Sequence, residues 1–497
     1  MSHDSSTGIL GKFRGTFIGN RAFYGTVFAL VVPIIIQSTI TNFVGLLDNI
    51  MVGQTGTAQM SGVAIANQLI FVFNLTIFGG LSGPGIFGAQ FYGAGDTEGL
   101  RHSFRYKLWS ATLLLAAAVT IFLIYGDELI SLFLTGEGEA RDAAAMLGYG
   151  RDYLHIMLLG LLPFALSQAY GSTLRETGES MLPMIAGIAA VFANLILNFV
   201  LIFGKLGFPA LGVAGAAIAT VISRFIELAV IMIYAHRHTD RFPFLKCIFR
   251  SLKIPLTLVK SITIKGLPLL VNELLWSLSM SALMQIFSTR GLNVVAGLNI
   301  SSTVINLFNV VFISMGTAVA VMVGQALGAG DGKRARAYTW KLIFFSFCCC
   351  LVVGGVLAAA APFIPHAYNT TGDVHRLATL FMLTSAAFMP VNAITHCCYF
   401  AIRSGGKTVI TFLFDSVYSW VVFIPYTYML THYTNLSIFI LYPLSLVPDA
   451  VKCVVGLLIV RTGYWAQNVV SGHLAAEPAA YDAEAVTSSD IQPIKKT

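Results

Sequence analysis

The stretch QFYGAGD at residues 90–96 returns as QALGAGD at residues 325–331. The two copies lie 235 positions apart, and the same offset aligns Pro33 with Pro268 without a gap. A second match, at an offset of 228, relates the Arg-x-x-Gly pattern that begins at Arg175 to the same pattern beginning at Arg403. Matches that keep their order over this length indicate that the chain is an internal duplication.

The sequence around this repeat is strongly apolar. Of its 497 residues, 56% are hydrophobic and 11% are charged, with a mean hydropathy of +0.77. Soluble proteins carry about 25% charged residues, so the composition excludes a cytoplasmic enzyme, a disordered chain and a coiled coil. Segments of about 20 apolar residues are long enough to span a bilayer. Twelve such segments are predicted, at 22–46, 61–86, 106–125, 152–173, 183–204, 211–235, 263–288, 298–327, 341–363, 377–401, 408–430 and 437–461.

The basic residues are divided unequally between the two sides of these predicted helices. An even number of helices places both termini on one side, which holds 23 Lys and Arg residues against 5 on the other side. Because cytoplasmic loops carry the excess of basic residues, both termini are predicted to be cytoplasmic in an inner (plasma) membrane protein. Arg175 and Arg403 are interpreted as membrane-orienting anchors. The first apolar segment is too long for a cleavable signal, so it is expected to remain as a helix.

The repeat predicts how the chain is divided. We expect a cytoplasmic segment at 1–21, a six-helix bundle at 22–235, a cytoplasmic linker at 236–262, a second bundle at 263–461 and a disordered cytoplasmic tail at 462–497. Each repeat has an even number of helices, so the two copies share one orientation about an axis along the membrane normal. The predicted fold is therefore an all-α integral membrane protein, with 12 transmembrane helices in two pseudo-symmetric six-helix bundles around a central cleft.

Several ordered motifs resemble the multidrug and toxic compound extrusion (MATE) family. They are DNIMVG at 48–53, GVA at 62–64, QFYGAGD at 90–96, LRETG at 174–178, GAAIAT at 215–220 and GQALGAGD at 324–331. The likeness covers roughly residues 20–465. It implies a secondary antiporter without enzyme activity or cofactor, in which Na⁺ or H⁺ enters while a cationic or amphiphilic organic compound leaves.

The absence of a Walker P-loop, HExxH and GxSxG motif fits this resemblance. The expected partners are small organic cations and membrane lipids, with no nucleic acid and no required protein partner, so a monomer is predicted. Two alternatives stay open. One is a lipid-linked precursor flippase of a related fold, which would need a strongly basic cleft, and the other is a channel or sensor that concentrates nothing.

Four polar residues of the first half form a candidate cation-coupling site. Asp48 ends the first predicted helix, where an unpaired carboxylate is expected to be neutralised, paired or bound to a cation. The resemblance places Asp48 on the family's first-helix acid, implicated in cation coupling, with Asn194, Asn198 and Thr220 as further ligands. Asn198 stands where the family commonly has an acid, so amide and hydroxyl oxygens would complete a Na⁺ site. The alternatives are an interfacial acid and asparagines that join helices; no other metal site is expected.

The second half offers candidates for substrate binding or a second coupling site. Glu273 lies in an apolar helix beside Asn272, and Asp415 lies on the eleventh helix near aromatic residues that favour organic cations. The resemblance places the family's two acids of this half on Trp276 and Asn392, so neither acid is reproduced in register. Helix packing is the alternative role for Glu273 and Asp415.

Two further charged pairs are predicted inside the spans. Arg224 and Glu227 lie three residues apart on the sixth helix and are expected to neutralise each other. Asp449 and Lys452 form a similar pair on the twelfth helix. Arg224 and Lys452 are the only bases predicted inside the spans and away from their ends, whereas Asp48, Glu273 and Asp415 are acids. The cleft is therefore predicted to prefer cationic amphiphiles to anions.

Overall fold

The computed structural model describes residues 14–132, 140–368 and 370–474, and these residues form helices without a β-strand. Twelve helices are long and apolar enough to cross a membrane, which confirms the predicted number for the described residues. They are α1 Arg21–Gly53, α2 Thr57–Ala94, α3 Thr97–Ser131, α4 Ala140–Glu176, α5 Met181–Phe203, α6 Gly212–Arg237, α7 Leu256–Ser288, α8 Leu292–Gly328, α9 Gly332–Ala360, α10 Gly372–Ser404, α11 Thr408–Tyr433 and α12 Ile438–Thr462.

The repeated GAGD motif is a helix–turn–helix junction that occurs once in each bundle. Gly95 and Gly330 adopt left-handed backbone conformations, with φ of 77° and 78°, which a residue with a side chain rarely adopts. The aspartate that follows caps the next helix: Asp96 accepts from the Gly99 amide, and Asp331 accepts from the amide three residues on, each at 2.8 Å. The sequence repeat is therefore a repeat of local structure.

The first helix of each bundle begins against the other bundle. Before Pro33, α1 contributes buried side chains such as Val27 to the core around α8 and α10 of the second bundle. Before Pro268, α7 contributes Leu258 and Ile262 to the core of the first bundle. The two bundles, α1–α6 and α7–α12, thus exchange equivalent half-helices at the end of the molecule where α1 begins.

Backbones of the two bundles touch at this same end. A Cβ atom added to Gly93 would lie 2.0 Å from the carbonyl oxygen of Gln325, and one added to Gly328 would lie 1.9 Å from that of Gln90. Only glycine permits such an approach of one backbone to another. The 235-residue offset relates Gly93 to Gly328 and Gln90 to Gln325, so the contact follows the pseudo-symmetry of the two bundles.

The same glutamines join the bundles by hydrogen bonds. Gln90 Nε2 donates to the carbonyl oxygen of Ser404, at the end of α10, at 2.8 Å. Gln325 Nε2 donates to the carbonyl oxygen of Glu176, at the end of α4, at 2.7 Å. Each amide satisfies a helix-end carbonyl that has no partner within its own helix. The molecule is therefore closed at the end where α1 begins.

The connection between the bundles is shorter than predicted and is folded. Helix α7 begins at Leu256 rather than near 263, and two short 3₁₀ turns precede it. Phe244 and Ile248 from these turns are buried in the core of the first bundle. Arg105 of α3 donates to the carbonyl oxygens of Ile248 and Lys253, both at 3.4 Å. The predicted linker is thus a packed part of the first bundle.

The prediction of a disordered tail is wrong for residues 463–474. Trp465 and Val470 in this segment are 1% and 0% exposed. Gln90 donates to the carbonyl oxygen of Gln467 at 3.1 Å and accepts from the amide of Val469 at 2.7 Å. Burial of the indole against α8–α10 outweighs the polar composition that suggested disorder. The remaining tail, 475–497, and residues 1–13 lie outside the described residues.

Candidate functional site

The four predicted coupling residues meet inside the first bundle. Asn198 Nδ2 donates to Asp48 Oδ1 at 2.7 Å and to Asn194 Oδ1 at 3.1 Å. Asn194 Nδ2 lies 3.2 Å from the hydroxyl of Thr220. Turning the Asn194 amide over instead places its nitrogen 3.0 and 3.1 Å from the two carboxylate oxygens of Asp48. In both orientations α1, α5 and α6 are linked through one polar cluster.

The donor set of this cluster suits a hard cation or a proton. Asn194 and Asn198 are buried, and Asp48 and Thr220 are half-buried. The amide oxygen of Asn198 is buried without a hydrogen-bond partner among the described residues, so one acceptor is uncommitted. Carboxylate, amide and hydroxyl oxygens are the ligands that hard cations prefer. In the described part of the chain no His, Cys, Asp and Glu side chains cluster in a way that would hold a transition metal.

A second polar network joins four helices of the other bundle. Asn272 Nδ2 donates to Asp415 Oδ2 at 2.9 Å and lies 3.2 Å from the hydroxyl of Tyr399. Tyr399 donates to Glu273 Oε1 at 3.2 Å. Lys452 Nζ donates to Asp415 Oδ1 at 2.6 Å. The network therefore contains two carboxylates, of which one has a charged partner.

The ion pair of this network corrects one prediction. Lys452 pairs with Asp415 of α11, not with Asp449, although Asp449 is its neighbour in sequence. Asp415 lies in the first of two five-residue π-helical turns of α11, at Leu413–Val417. Such turns are common at functional sites. Glu273, 8% exposed, has no basic partner within 4.0 Å among the described residues.

Four other predicted residues lie outside these networks. No described hydrogen bond joins the side chain of Trp276 or Asn392 to either cluster. Arg224 lies over the ring of Phe164, 4.6 Å from its centre, and forms no ion pair with Glu227 in the part of the chain that is described. Glu227 is nevertheless the charged group that acts most strongly on Arg224, so the two charges interact at a longer range than an ion pair.

A cavity of about 250 Å³ lies between the two bundles. Helices α1, α2, α4, α8 and α10 line it, and the charged side chains among its lining are Arg175, Glu176 and Arg403. Lys107, fully buried on α3, donates to both carboxylate oxygens of Glu176 at 2.7 Å. Sequence analysis missed this basic character because it counted Lys107 among the 23 basic residues of the cytoplasmic side and interpreted Arg175 and Arg403 as membrane-orienting anchors. The 228-residue offset that relates Arg175 to Arg403 could have indicated that both side chains face the same cavity.

The twelve membrane-spanning helices and the polar clusters inside two similar bundles are those of a polytopic helical membrane transporter. The MatE family model matches residues 33–200 and 268–429, and the chain belongs to this family.

Relatives and solved structures agree with this assignment. The chain is 23% identical over 442 residues to "Probable multidrug resistance protein NorM" of Thermotoga maritima, covering 89% of this chain and 93% of the relative. It is 26% identical over 408 residues to "Multidrug resistance protein MdtK" of Pectobacterium atrosepticum, covering 81% and 86%.

A crystal structure of MATE in complex with MaL6 superimposes with a TM-score of 0.78 at 21% identity, covering 88% of this chain and 95% of that one. A MOP superfamily transporter from Pyrococcus furiosus, described as having a binding pocket of reverse polarity, gives a TM-score of 0.77 at 20% identity with the same coverage. These likenesses show the fold.

Proposed function

We propose that this protein is a multidrug efflux transporter that exports organic cations or amphiphilic drugs in exchange for Na⁺ or H⁺. Family membership and the names of the relatives support the transport of small molecules out of the cell. The observation that carries the coupling proposal is the cluster of Asp48 with Asn194, Asn198 and Thr220. No cofactor takes part in this scheme.

Asp48 is the group whose charge responds to the coupling ion. A proton or a Na⁺ at its carboxylate changes the charge of the cluster by about one unit. A charge buried in lipid is costly, so the ion alters the relative free energies of the arrangements that bury or expose the cluster. A ligand shifts a conformational equilibrium only through such a difference between states. Ion binding at Asp48 would thereby drive alternating access of the cleft.

Glu273 is the proposed contact for a cationic substrate. Its carboxylate accepts from the neutral hydroxyl of Tyr399 and has no ion pair within 4.0 Å among the described residues, whereas Asp415 is paired with Lys452. An organic cation would therefore gain more by approaching Glu273 than Asp415. With both termini in the cytoplasm, the bundle contacts at the end where α1 begins would close the cytoplasmic side.

Reconstituted vesicles test the coupling. Wild-type protein should accumulate a fluorescent organic cation against its gradient when a Na⁺ or a pH gradient is imposed, and the effective gradient identifies the ion. Asp48→Asn mimics the neutral state permanently, so it should abolish uphill transport while cation binding persists. Asp152→Asn removes an exposed acid and serves as the matched control.

The outcomes separate the alternatives. Uphill export by Asp48→Asn at the wild-type rate would place the coupling in the other bundle. Flux that only follows the substrate gradient would indicate a channel, and flux of a lipid-linked precursor without cation transport would indicate a flippase.

A further inference from the structure

The cavity between the bundles combines an apolar lining with two guanidinium groups. Ile34, Leu81 and Ile86 are among the apolar side chains that line it. Arg175 comes from the end of α4 and Arg403 from the end of α10, so each bundle supplies one guanidinium. The two positions correspond under the 228-residue offset of the repeat, and the two charges therefore lie on opposite sides of the pseudo-symmetry axis.

Neither guanidinium is neutralised by a described carboxylate at ion-pair distance. Arg403 is 8% exposed, and its Nη1 is buried without a hydrogen-bond partner in the described structure. Its guanidinium lies 5.5 Å from the ring centre of Phe78 and 5.0 Å from that of Phe400. Aromatic faces stabilise a cation but accept no in-plane hydrogen bond. A buried charged donor without an acceptor is costly, so Arg403 is prepared for a ligand.

The acid in the cavity wall is already engaged. Both carboxylate oxygens of Glu176 accept from Lys107 Nζ, which lies outside the cavity lining. Gly85 and Gly88 leave room for this carboxylate, because a Cβ at either position would lie within 3 Å of one of its oxygens. The Lys107–Glu176 pair is neutral as a unit. Within the cavity lining, Arg175 and Arg403 are therefore the charged groups without an ion-pair partner among the described residues, and the next carboxylates that act on them are Glu227 on Arg175 and Glu273 on Arg403.

We propose that this cavity binds the carboxylate or phosphate head of an anionic amphiphile, held by Arg175 from one bundle and Arg403 from the other. Planar guanidinium groups match the geometry of both anions and form the strongest charged hydrogen bonds in proteins. The apolar lining receives the adjoining part of the hydrocarbon chain. The site is separate from the coupling cluster, because Ile34 and Asp48 are about 21 Å apart along α1 at 1.5 Å per residue.

An anion in this site would also act on conformation. Because it contacts one arginine from each bundle, it binds tightly only while the bundles are closed at this end. Its binding therefore stabilises the closed arrangement over one in which the arginines separate.

Binding of dodecyl phosphate to full-length protein in phosphatidylcholine nanodiscs tests the proposal. Dodecyltrimethylammonium has the same chain with the opposite charge and is the matched ligand. Dodecyl phosphate should bind and raise the melting temperature. Arg403→Gln and Arg175→Gln should each weaken this binding at least about tenfold, or about 1.4 kcal/mol. Arg334→Gln, which removes an exposed arginine, should leave it unchanged.

Two further arms identify the source of the anion. Competition by inorganic phosphate would show that a soluble anion suffices, whereas competition only by phosphatidylglycerol added to the nanodisc would show a lipid head. Arg403→Lys keeps the charge and should retain part of the binding, which separates a lost ligand contact from misfolding. Equal affinity for the ammonium amphiphile, or unchanged phosphate binding in folded Arg175→Gln, would overturn the proposal. The assay uses no ion gradient, so its result does not depend on the proposed antiport.

Discussion

Replacing Gly328 by alanine should open the end of the molecule where α1 begins. The new Cβ would lie 1.9 Å from the carbonyl oxygen of Gln90 and 2.6 Å from its Cα, and neither is a flexible side-chain atom. Ordinary contact requires the backbones to separate by about 1.5 Å. Overpacking of this kind costs about 1–3 kcal/mol, and the separation also strains the buried hydrogen bonds of Gln90 and Gln325, each contributing about 1 kcal/mol.

A total of about 3 kcal/mol against the closed arrangement corresponds to a population shift of about two powers of ten. The cost falls on closure because the three atoms nearest to the new Cβ all belong to Gln90 of the other bundle. The alanine variant should therefore fold and insert normally. It should, however, lose export, because it cannot complete the closed half of a transport cycle.

Spin labels at Thr97 and Lys333, both exposed beside the repeated turns, would report the separation of the bundles. Cys247 is exposed and would first be replaced by serine, so that labelling is specific. Gly328→Ala should broaden and lengthen the distance distribution. Gly355→Ala is the matched control, because a Cβ at that helical glycine meets nothing within 4 Å. A distribution for Gly328→Ala identical to that of the wild type would refute the reasoning.

Three further predictions follow from the topology, the ion pair and the tail. A cysteine introduced at Arg250 should react only with reagents that reach the cytoplasm, and labelling from outside intact cells would reverse the predicted orientation. Lys452→Met should lower the free energy of unfolding by about 3 kcal/mol because it leaves the carboxylate of Asp415, 17% exposed, without its charged partner. Adding Asp415→Asn should restore most of this loss in thermal unfolding, and no recovery would contradict the pairing. Trp465→Ala should accelerate hydrogen exchange across 463–474, whereas Tyr464→Ala, at a 65% exposed neighbour, should not; equal exchange in both would show that the indole does not hold the tail.

The sequence by itself determined the number of helices, the duplication and the family. Span length and apolarity are local properties, because a bilayer requires about 20 apolar residues whatever their neighbours are. The GAGD repeat was readable because a left-handed glycine and a capping aspartate act within one turn of chain. The spacing of Asn194 and Asn198 placed both on one helix face. Their link to Asp48 and Thr220 came from the family resemblance, and the structure describes the four in contact.

Only the tertiary structure decided which charged groups meet. Lys452 has Asp449 three residues before it in sequence, yet it pairs with Asp415 because the packing of α11 on α12 brings that carboxylate to 2.6 Å. Arg175 and Arg403 carry the signature of membrane anchors, but helix packing turns both toward the cavity. The polar tail folds because Trp465 finds an apolar site built by α8–α10. Hydropathy describes each segment alone, whereas the partner of a buried charge is set by which helix faces come together.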